Sequence, residues 1–325
     1  MKPVLNLLNG CIMAYVACVA GAALAQAPYP AKPIRLLIGA PPGGGNDVLG
    51  RVVAQRLTDR IGQQVVVENR GGAGQTIAGE IAAKSPPDGY TVLLVSSSFM
   101  ISTLVYPKLP YDTLRDFAAI TQIATIPQML VVHPSLPVKT GPDLIALAKK
   151  NPGALMYGSG GNGSTQHLGA ELFKVLTKTS MVHLPFKGAG PAIAAMLSGD
   201  VQVFFSTVPS VQPLAQSGKL KAIAAAVAKR IPTLPELPTL EEQGVRGMDI
   251  SGNYGLLAPA GTPAPVIRYL NEEVGKLLIT PEVRDYLAKQ GAFVAPSTPA
   301  QFQAQVKTEI EKWREVVRIS GMKPD

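Results

Sequence analysis

Two rhythms of apolar residues alternate along this chain. Short runs such as Ile34-Arg35-Leu36-Leu37-Ile38 and Val65-Val66-Val67 have the length and branching of buried strands. Between them lie stretches with apolar residues on one helical face, such as Val48, Val52, Leu57 and Ile61. The pattern predicts strands over residues 34–39, 65–68 and 91–96 and helices over 47–61 and 75–84. Strands separated by helices of this length imply a parallel, right-handed sheet. Ser96-Ser97-Ser98 reads as a turn after the third strand, and residues 106–116 as a loop marked by Pro and Tyr.

Strand-like runs follow at 120–126 and 129–133, and Lys139-Thr140-Gly141-Pro142-Asp143 opens a helix over 144–150. The alternation then restarts. Strands are expected at 154–158, 182–185 and 201–206, with helices from Ser164 to about 176, up to Leu197, and over 211–217. Residues 220–227 fit strand or helix equally, and Pro232, Pro235 and Pro238 punctuate a rigid loop before a short helix at 241–243. A strand at 254–258 and a helix at 265–278 come next. The tail, 299–319, carries Phe302, Val306, Ile310, Trp313 and Val317 as a helical stripe, which marks Trp313 as core. Two βαβ plans in 325 residues predict two similar domains.

Composition adds a compartment. Lys2, the apolar stretch from Val4 to Leu24 and Ala23-Leu24-Ala25 read as a secretory leader cut after Ala25. Both cysteines, Cys11 and Cys18, fall inside it, so disulfides, thiolate chemistry and Cys-ligated metal are excluded from the mature chain. Leu8-Asn9-Gly10-Cys11 imitates a lipoprotein box, but too few apolar residues precede it and Asn9 fits poorly. The formal charge is +8, yet the basic residues are scattered, which argues against nucleic acid and for small anions or mere solubility.

Candidate chemistry gathers at two glycine-rich turns. Ala40-Pro41-Pro42-Gly43-Gly44-Gly45-Asn46-Asp47 and Tyr157-Gly158-Ser159-Gly160-Gly161-Asn162-Gly163-Ser164-Thr165 each join a strand to a helix start. Such turns gather unpaired N–H groups at the positive end of a helix dipole, an anion site. Asn46, Asp47, Ser164 and Thr165 are good caps, so tight turning alone is the competing explanation. Asp47 and Arg51 sit four apart and are expected to pair, which makes Asp47 a scaffold for its turn. Ser97 and Ser98, beyond a strand end, supply a third wall. Gly158-x-Gly160-x-x-Gly163 matches the dinucleotide fingerprint, but the next strand ends His183-Leu184-Pro185-Phe186-Lys187, without the ribose-binding acid. The first turn lacks the Lys-Ser/Thr ending of a nucleotide P-loop. His133, His167 and His183 form no metal-ligand or nucleophile–base spacing, and His167, one turn into its helix, lines the cleft or bonds locally. No catalytic residue, metal or cofactor is expected.

The chain resembles the Bug-type solute receptors of tripartite tricarboxylate transporters. The likeness runs through Tyr29-Pro30-x-Lys32-Pro33-Ile34, Pro42-Gly43-Gly44 with Asp47 and Arg51, and Val67-Glu68-Asn69-Arg70-Gly71-Gly72-Ala73-Gly74. It continues in Ser85-Pro86-Pro87-Asp88-Gly89-Tyr90-Thr91, Gly158–Ser164 with His167, and Pro185-Phe186-Lys187-Gly188-Ala189-Gly190-Pro191. It closes in Leu237-Pro238-Thr239, Ala258-Pro259-Ala260-Gly261-Thr262-Pro263 and Ser297-Thr298-Pro299. The resemblance implies an α/β, two-lobed periplasmic binding protein of type II plan, each lobe a mainly parallel sheet flanked by helices, with a double hinge crossing. Lobe 1 is expected at 28–125 and 250–325, and lobe 2 at 126–249. It further implies that Pro42, Gly43, Gly44, Gly45, Asn46 and Asp47, with Gly160, Gly161, Asn162, Ser164, Thr165 and His167, hold one carboxylate, largely by backbone N–H groups. Lys187 joins the candidate contacts. The implied partner is a membrane transporter of one large and one small subunit, served by a monomer.

Departures from the family pattern bear on specificity. Ser206 stands where many members have Asp, and suits a neutral or more acidic distal group rather than an amine. Tyr254 lies where many carry Trp, and Gly39-Ala40-Pro41 where an aromatic often sits. Two other readings share the cleft: a sensor that docks on a membrane kinase, and a hydrolase or lyase built on Ser164 and His167.

Overall fold

The structure, a computed structural model, describes residues 29–320 apart from Gly43, Gly44, Pro107 and Gln290. The expected leader and its cleavage site, together with Gly43 and Gly44 of the first turn, lie outside the described residues.

In chain order the first elements are β1 (Ile34–Ile38), α1 (Gly45–Ile61), β2 (Val65–Asn69), a 3-10 turn (Ala73–Gln75), α2 (Thr76–Ala83), β3 (Thr91–Ser96), α3 (Ser97–Val105) and β4 (Phe117–Ile126). Then come β5 (Gln128–Val132), α4 (Gly141–Lys150), β6 (Met156–Ser159), α5 (Thr165–Thr177), β7 (Val182–Pro185), α6 (Ala189–Ser198), β8 (Val203–Thr207), α7 (Val208–Gln216) and β9 (Lys221–Ala225). The chain finishes with β10 (Gly252–Pro259), α8 (Ala264–Leu278), α9 (Pro281–Lys289), β11 (Phe293–Val294) and α10 (Pro299–Ser320).

These elements build two sheets, ordered β11-β4-β10-β3-β1-β2 and β7-β6-β8-β5-β9. The parallel trios β2-β1-β3 and β7-β6-β8 match the sequence pattern. Each sheet is nevertheless mixed rather than mainly parallel, because β10 runs antiparallel to β3 and β4, and β5 antiparallel to β8 and β9. The reason is the route of the chain. β5 and β10 are the strands that arrive from the other sheet, and each enters at the edge where the parallel strands end. β4 ends at Ile126 and β5 begins at Gln128, opposite Thr207 at the end of β8. With Pro127 alone between them, the carboxyl edges of the two sheets lie within about 7 Å at that point.

Alternate residues of each strand serve opposite cores. Ile34, Leu36 and Ile38 of β1 join α1, α8 and α9 on one face, while Leu37 joins α2, α3 and α10 on the other. Leu130 and Phe205 face α4 and α5, while Met129 and Phe204 face α6 and α7. α10 takes part in both halves of the molecule. Its Phe302, Val306 and Ile310 pack with the first sheet, and its Trp313, Val316 and Val317 pack with the second.

Local signals behave as their chemistry dictates at many ends. Thr140 and Asp143 form a reciprocal capping box with Pro142 in the first turn, and Lys149 and Lys150 close α4. Two local expectations change and one open alternative is settled. Ser97 and Ser98 open the helix α3 rather than a turn, because burial of Phe99, Met100, Ile101 and Val105 outweighs the poor propensity of a Ser- and β-branched-rich stretch. Residues 220–227 contain the strand β9, held by pairing with β5. Residues 241–243 are turns, not a helix. α9 and β11 had no clear sequence signal.

Trp313 is 2% exposed. Trp313→Ala should destabilise the fold by about 3–5 kcal/mol, the usual cost of emptying an aromatic core site. A denaturant midpoint unchanged from that of the native chain would count against α10 as a shared wall.

Candidate functional site

Both glycine turns start at carboxyl ends of parallel strands, the edge where open α/β sheets take ligands. The first follows β1 and is tied down from below. The buried Asp47 carboxylate accepts from Arg51 Nε at 2.9 Å and from Asn69 Nδ2 at 2.9 Å. Asn69 Nδ2 also donates to the carbonyl of Ala40 at 3.0 Å, so the last residue of β2 anchors both ends of the turn. The expected Asp47–Arg51 pair is therefore present, and Asp47 holds backbone in place. Pro42 and Gly45 are exposed and Asn46 is half-buried above it.

The second turn follows β6. Gly161 at φ 116° and Gly163 at φ 73° take conformations that side chains disfavour. Gly161 N–H donates to Ser159 Oγ at 3.1 Å, and Gly163 N–H to His167 Nδ1 at 3.3 Å. Ser164 caps α5 by accepting from His167 N–H at 3.3 Å. That leaves the N–H groups of Thr165 and Gln166, which no helix carbonyl reaches, at the mouth of the turn. Gly188 N–H donates to Gly160 O at 3.2 Å, so the segment carrying the exposed Lys187 lies against the turn. Asn162, within the turn, is half-buried.

Beneath this turn lies a buried polar stack that no sequence spacing announced. His167 and His183 stack with ring centroids 3.8 Å apart, and His183 stacks on Tyr157 at 4.8 Å. The register of β6 with β7 places Tyr157 beside His183. His183 Nε2 bonds Ser159 Oγ at 2.7 Å, Tyr157 donates to Glu171, and Lys174 donates to Glu171 at 2.7 Å. Burial, with a smaller push from the Lys174 ammonium, lowers the His167 imidazole to about 4. Burial, and then the Glu171 charge, raises the Tyr157 phenol above its ordinary range. The structure thus brings His167 under the turn as its support.

The remaining candidates divide. Ser97 is buried, with Oγ accepting from Asn253 N–H at 2.9 Å, while Asn253 Nδ2 donates to Glu309 at 3.1 Å. Burial raises the Glu309 carboxyl above the usual range. Tyr254 sits opposite Ser96 in β10, buried within the core cluster that also holds Ile126, Leu256 and Leu287, and its phenol is pushed up to about 12 by burial. Ser97 and Tyr254 are thus placed in structural contacts. Ser98 is half-buried, and Ser206, at the end of β8, is fully buried with an Oγ that has no hydrogen-bond partner. α3 connects the two regions: it starts at Ser97 beside the first sheet, and a Cβ on Gly163 would stand 3.6 Å from Val105 at its far end. Among the described residues, no group of three or more His, Cys, Asp or Glu is placed to hold a metal ion, and no helix is long and apolar enough to cross a membrane.

The depressed His167 pKa predicts a pH dependence with a definite sign. The unfolded chain takes a proton at about 6.5, whereas the native imidazole stays neutral down to about 4. The stability it contributes is complete above pH 6.5 and drains as pH falls toward 4. A thermal-midpoint profile should therefore decline more steeply over that window in the native chain than in His167→Gln. Parallel profiles would refute the assignment.

Comparison with known proteins follows the same outline. Residues 49–322 match the model of the TctC family, described as the tripartite tricarboxylate transporter family receptor. Protein BugT of Bordetella pertussis is 37% identical over 297 residues, covering 91% of each chain. Among solved structures, R. palustris Rpa4515 with adipate superposes with a TM-score of 0.84 at 34% identity, covering 91% of this chain and 100% of that one. The periplasmic binding protein BugD gives 0.81 at 30% identity, with 91% and 99% covered. With the family model spanning most of the chain and two mixed sheets of periplasmic-binding-protein plan beneath it, this chain belongs to the TctC family of tripartite tricarboxylate transporter receptors.

Proposed function

We propose that this chain is an exported receptor that captures a small carboxylate between its two lobes and hands it to a membrane transporter of one large and one small subunit. The observation that carries this reading is the meeting of two carboxyl edges at Pro127, each bearing a glycine turn that opens a helix. Pro42, Gly43, Gly44, Gly45 and Asn46 on one side and Gly160, Gly161, Asn162, Ser164 and Thr165 on the other would hold the carboxylate mainly by backbone N–H groups. Such charge-assisted bonds strengthen in a cleft drier than water. Family membership supports transport, the adipate bound to Rpa4515 supports a carboxylate, and the apolar N-terminal stretch supports export. The receptor acts as a monomer without a catalytic step, and retention of unaltered ligand at one per chain is the corresponding result.

In this reading lobe 1 is residues 28–125 with 250–325 and lobe 2 is 126–249, and ligand selects the form in which they close. Asp47 and His167 act by holding the turns, and Ser206 meets the distal end of the ligand.

Thermal-shift and calorimetric screening of mono-, di- and tricarboxylates against refolded, ligand-stripped protein tests the whole reading. Gly160→Val adds a Cβ 3.3 Å from the Ala189 nitrogen, so the turn must shift. Loss of one or two charge-assisted bonds should weaken the carboxylate by about tenfold or more with the fold retained. Unchanged affinity would sink the clamp. Ser206→Asp should turn preference toward amine-bearing acids, and an unaltered ranking would remove Ser206 from the pocket.

A further inference from the structure

The first sheet has a reversal point. From β1 the chain goes to β2 on one side and then to β3 on the other, so the crevice between the ends of β1 and β3 is where an open sheet takes its ligand. One side chain lies across that crevice. A Cβ on Gly39, the residue after β1, would fall 2.5 Å from the Cβ of Gln75 and 2.8 Å from its Cγ. Its Nε2 donates to Ser96 Oγ at the end of β3.

Two independent features of Gln75 are left unexplained by packing. Its backbone is left-handed, at φ 75°, ψ 5°, a conformation that glycine takes freely and glutamine does not. Lys178 is the other described non-glycine residue with positive φ, and it is an exposed helix end, whereas Gln75 is 7% exposed. Its Oε1 is also buried without a hydrogen-bond partner. A strained, enclosed residue with an unspent acceptor is costly unless something outside the chain completes it.

Resting on the carboxylate reading above, we propose that Gln75 is a specificity-determining residue whose side-chain carbonyl accepts a hydrogen bond from a hydroxyl on the ligand. Gly39 leads directly into the first turn, so the hydroxyl belongs toward the end of the ligand whose carboxylate is held there. An ammonium fits poorly. The nearby acid, Asp47, already accepts from Arg51 and Asn69, and a buried cation facing a neutral amide would lack a counter-charge. The favoured ligands are therefore hydroxycarboxylates over the same chains without the hydroxyl.

Calorimetry with malate against succinate, 3-hydroxybutyrate against butyrate and 2-hydroxyadipate against adipate tests this. Among the pairs that bind, the native chain should favour the hydroxylated member by about tenfold or more, as sites built to bond a hydroxyl do. Gln75→Gly should bring the two within about twofold while its thermal midpoint stays level or rises, since glycine accepts the left-handed turn without strain. Gln75→Asn, which tolerates the same backbone but withdraws the carbonyl by one methylene, should narrow the ratio likewise. No hydroxyl preference in the native chain, or a preference that survives both substitutions, overturns the role of Gln75. Failure of every carboxylate to bind the native chain overturns the receptor reading itself.

Discussion

A single residue sets the geometry on which the rest of this molecule depends. Pro127 is all that separates the last residue of β4 from the first of β5. A strand ending in one sheet and another beginning in the next cannot stand far apart across one residue. The carboxyl edges of the two sheets are therefore brought together at this point. Everything that open α/β sheets place at such edges, including bare turns and helix starts, is drawn toward the same region. Proline suits the position because it fixes φ and has no N–H to satisfy between two sheets, while its carbonyl accepts from Val208 N–H at 3.1 Å.

Around that meeting point the protein holds its loops with neutral or internally cancelled groups. Asp47 is matched by Arg51, Glu171 by Lys174, and His167 is kept uncharged by burial. Backbone dipoles at the two helix starts then add to whatever positive potential the exposed Lys187 supplies beside the second turn. Backbone dipoles cost little to reorganise when a ligand enters, because they are already fixed by the strands and helices that carry them. In the reading proposed above, discrimination between ligands falls to side chains with unspent hydrogen-bonding capacity, among them Ser206 and Gln75.

The parallel trios, the helix starts at Thr140 and Ser164 and the apolar stripe of α10 were legible in the sequence, because each is written in neighbouring residues. α3 was not, because its Ser- and Val-rich stretch is made helical by tertiary burial. The insertion of β10 between β3 and β4 pairs residues more than a hundred positions apart, which periodicity cannot register. The same limit applies to the site. Glycine turns and caps are local and readable, whereas the His167–His183 stack and the strained Gln75 exist only once β6 meets β7 and Gln75 meets Gly39. Family likeness supplied the carboxylate. The residues alone had reached an anion.

The divided stripe of α10 bears on how the chain is made. The core of the first sheet lacks Phe302, Val306 and Ile310, and that of the second lacks Trp313, Val316 and Val317, until the last few dozen residues are synthesised. The opposite face of each sheet packs without α10, so until then each half is closed on one side only. In the export reading proposed above, that delay favours passage of the chain before it packs fully. The final helix then acts as a latch, completing the open face of both sheets together.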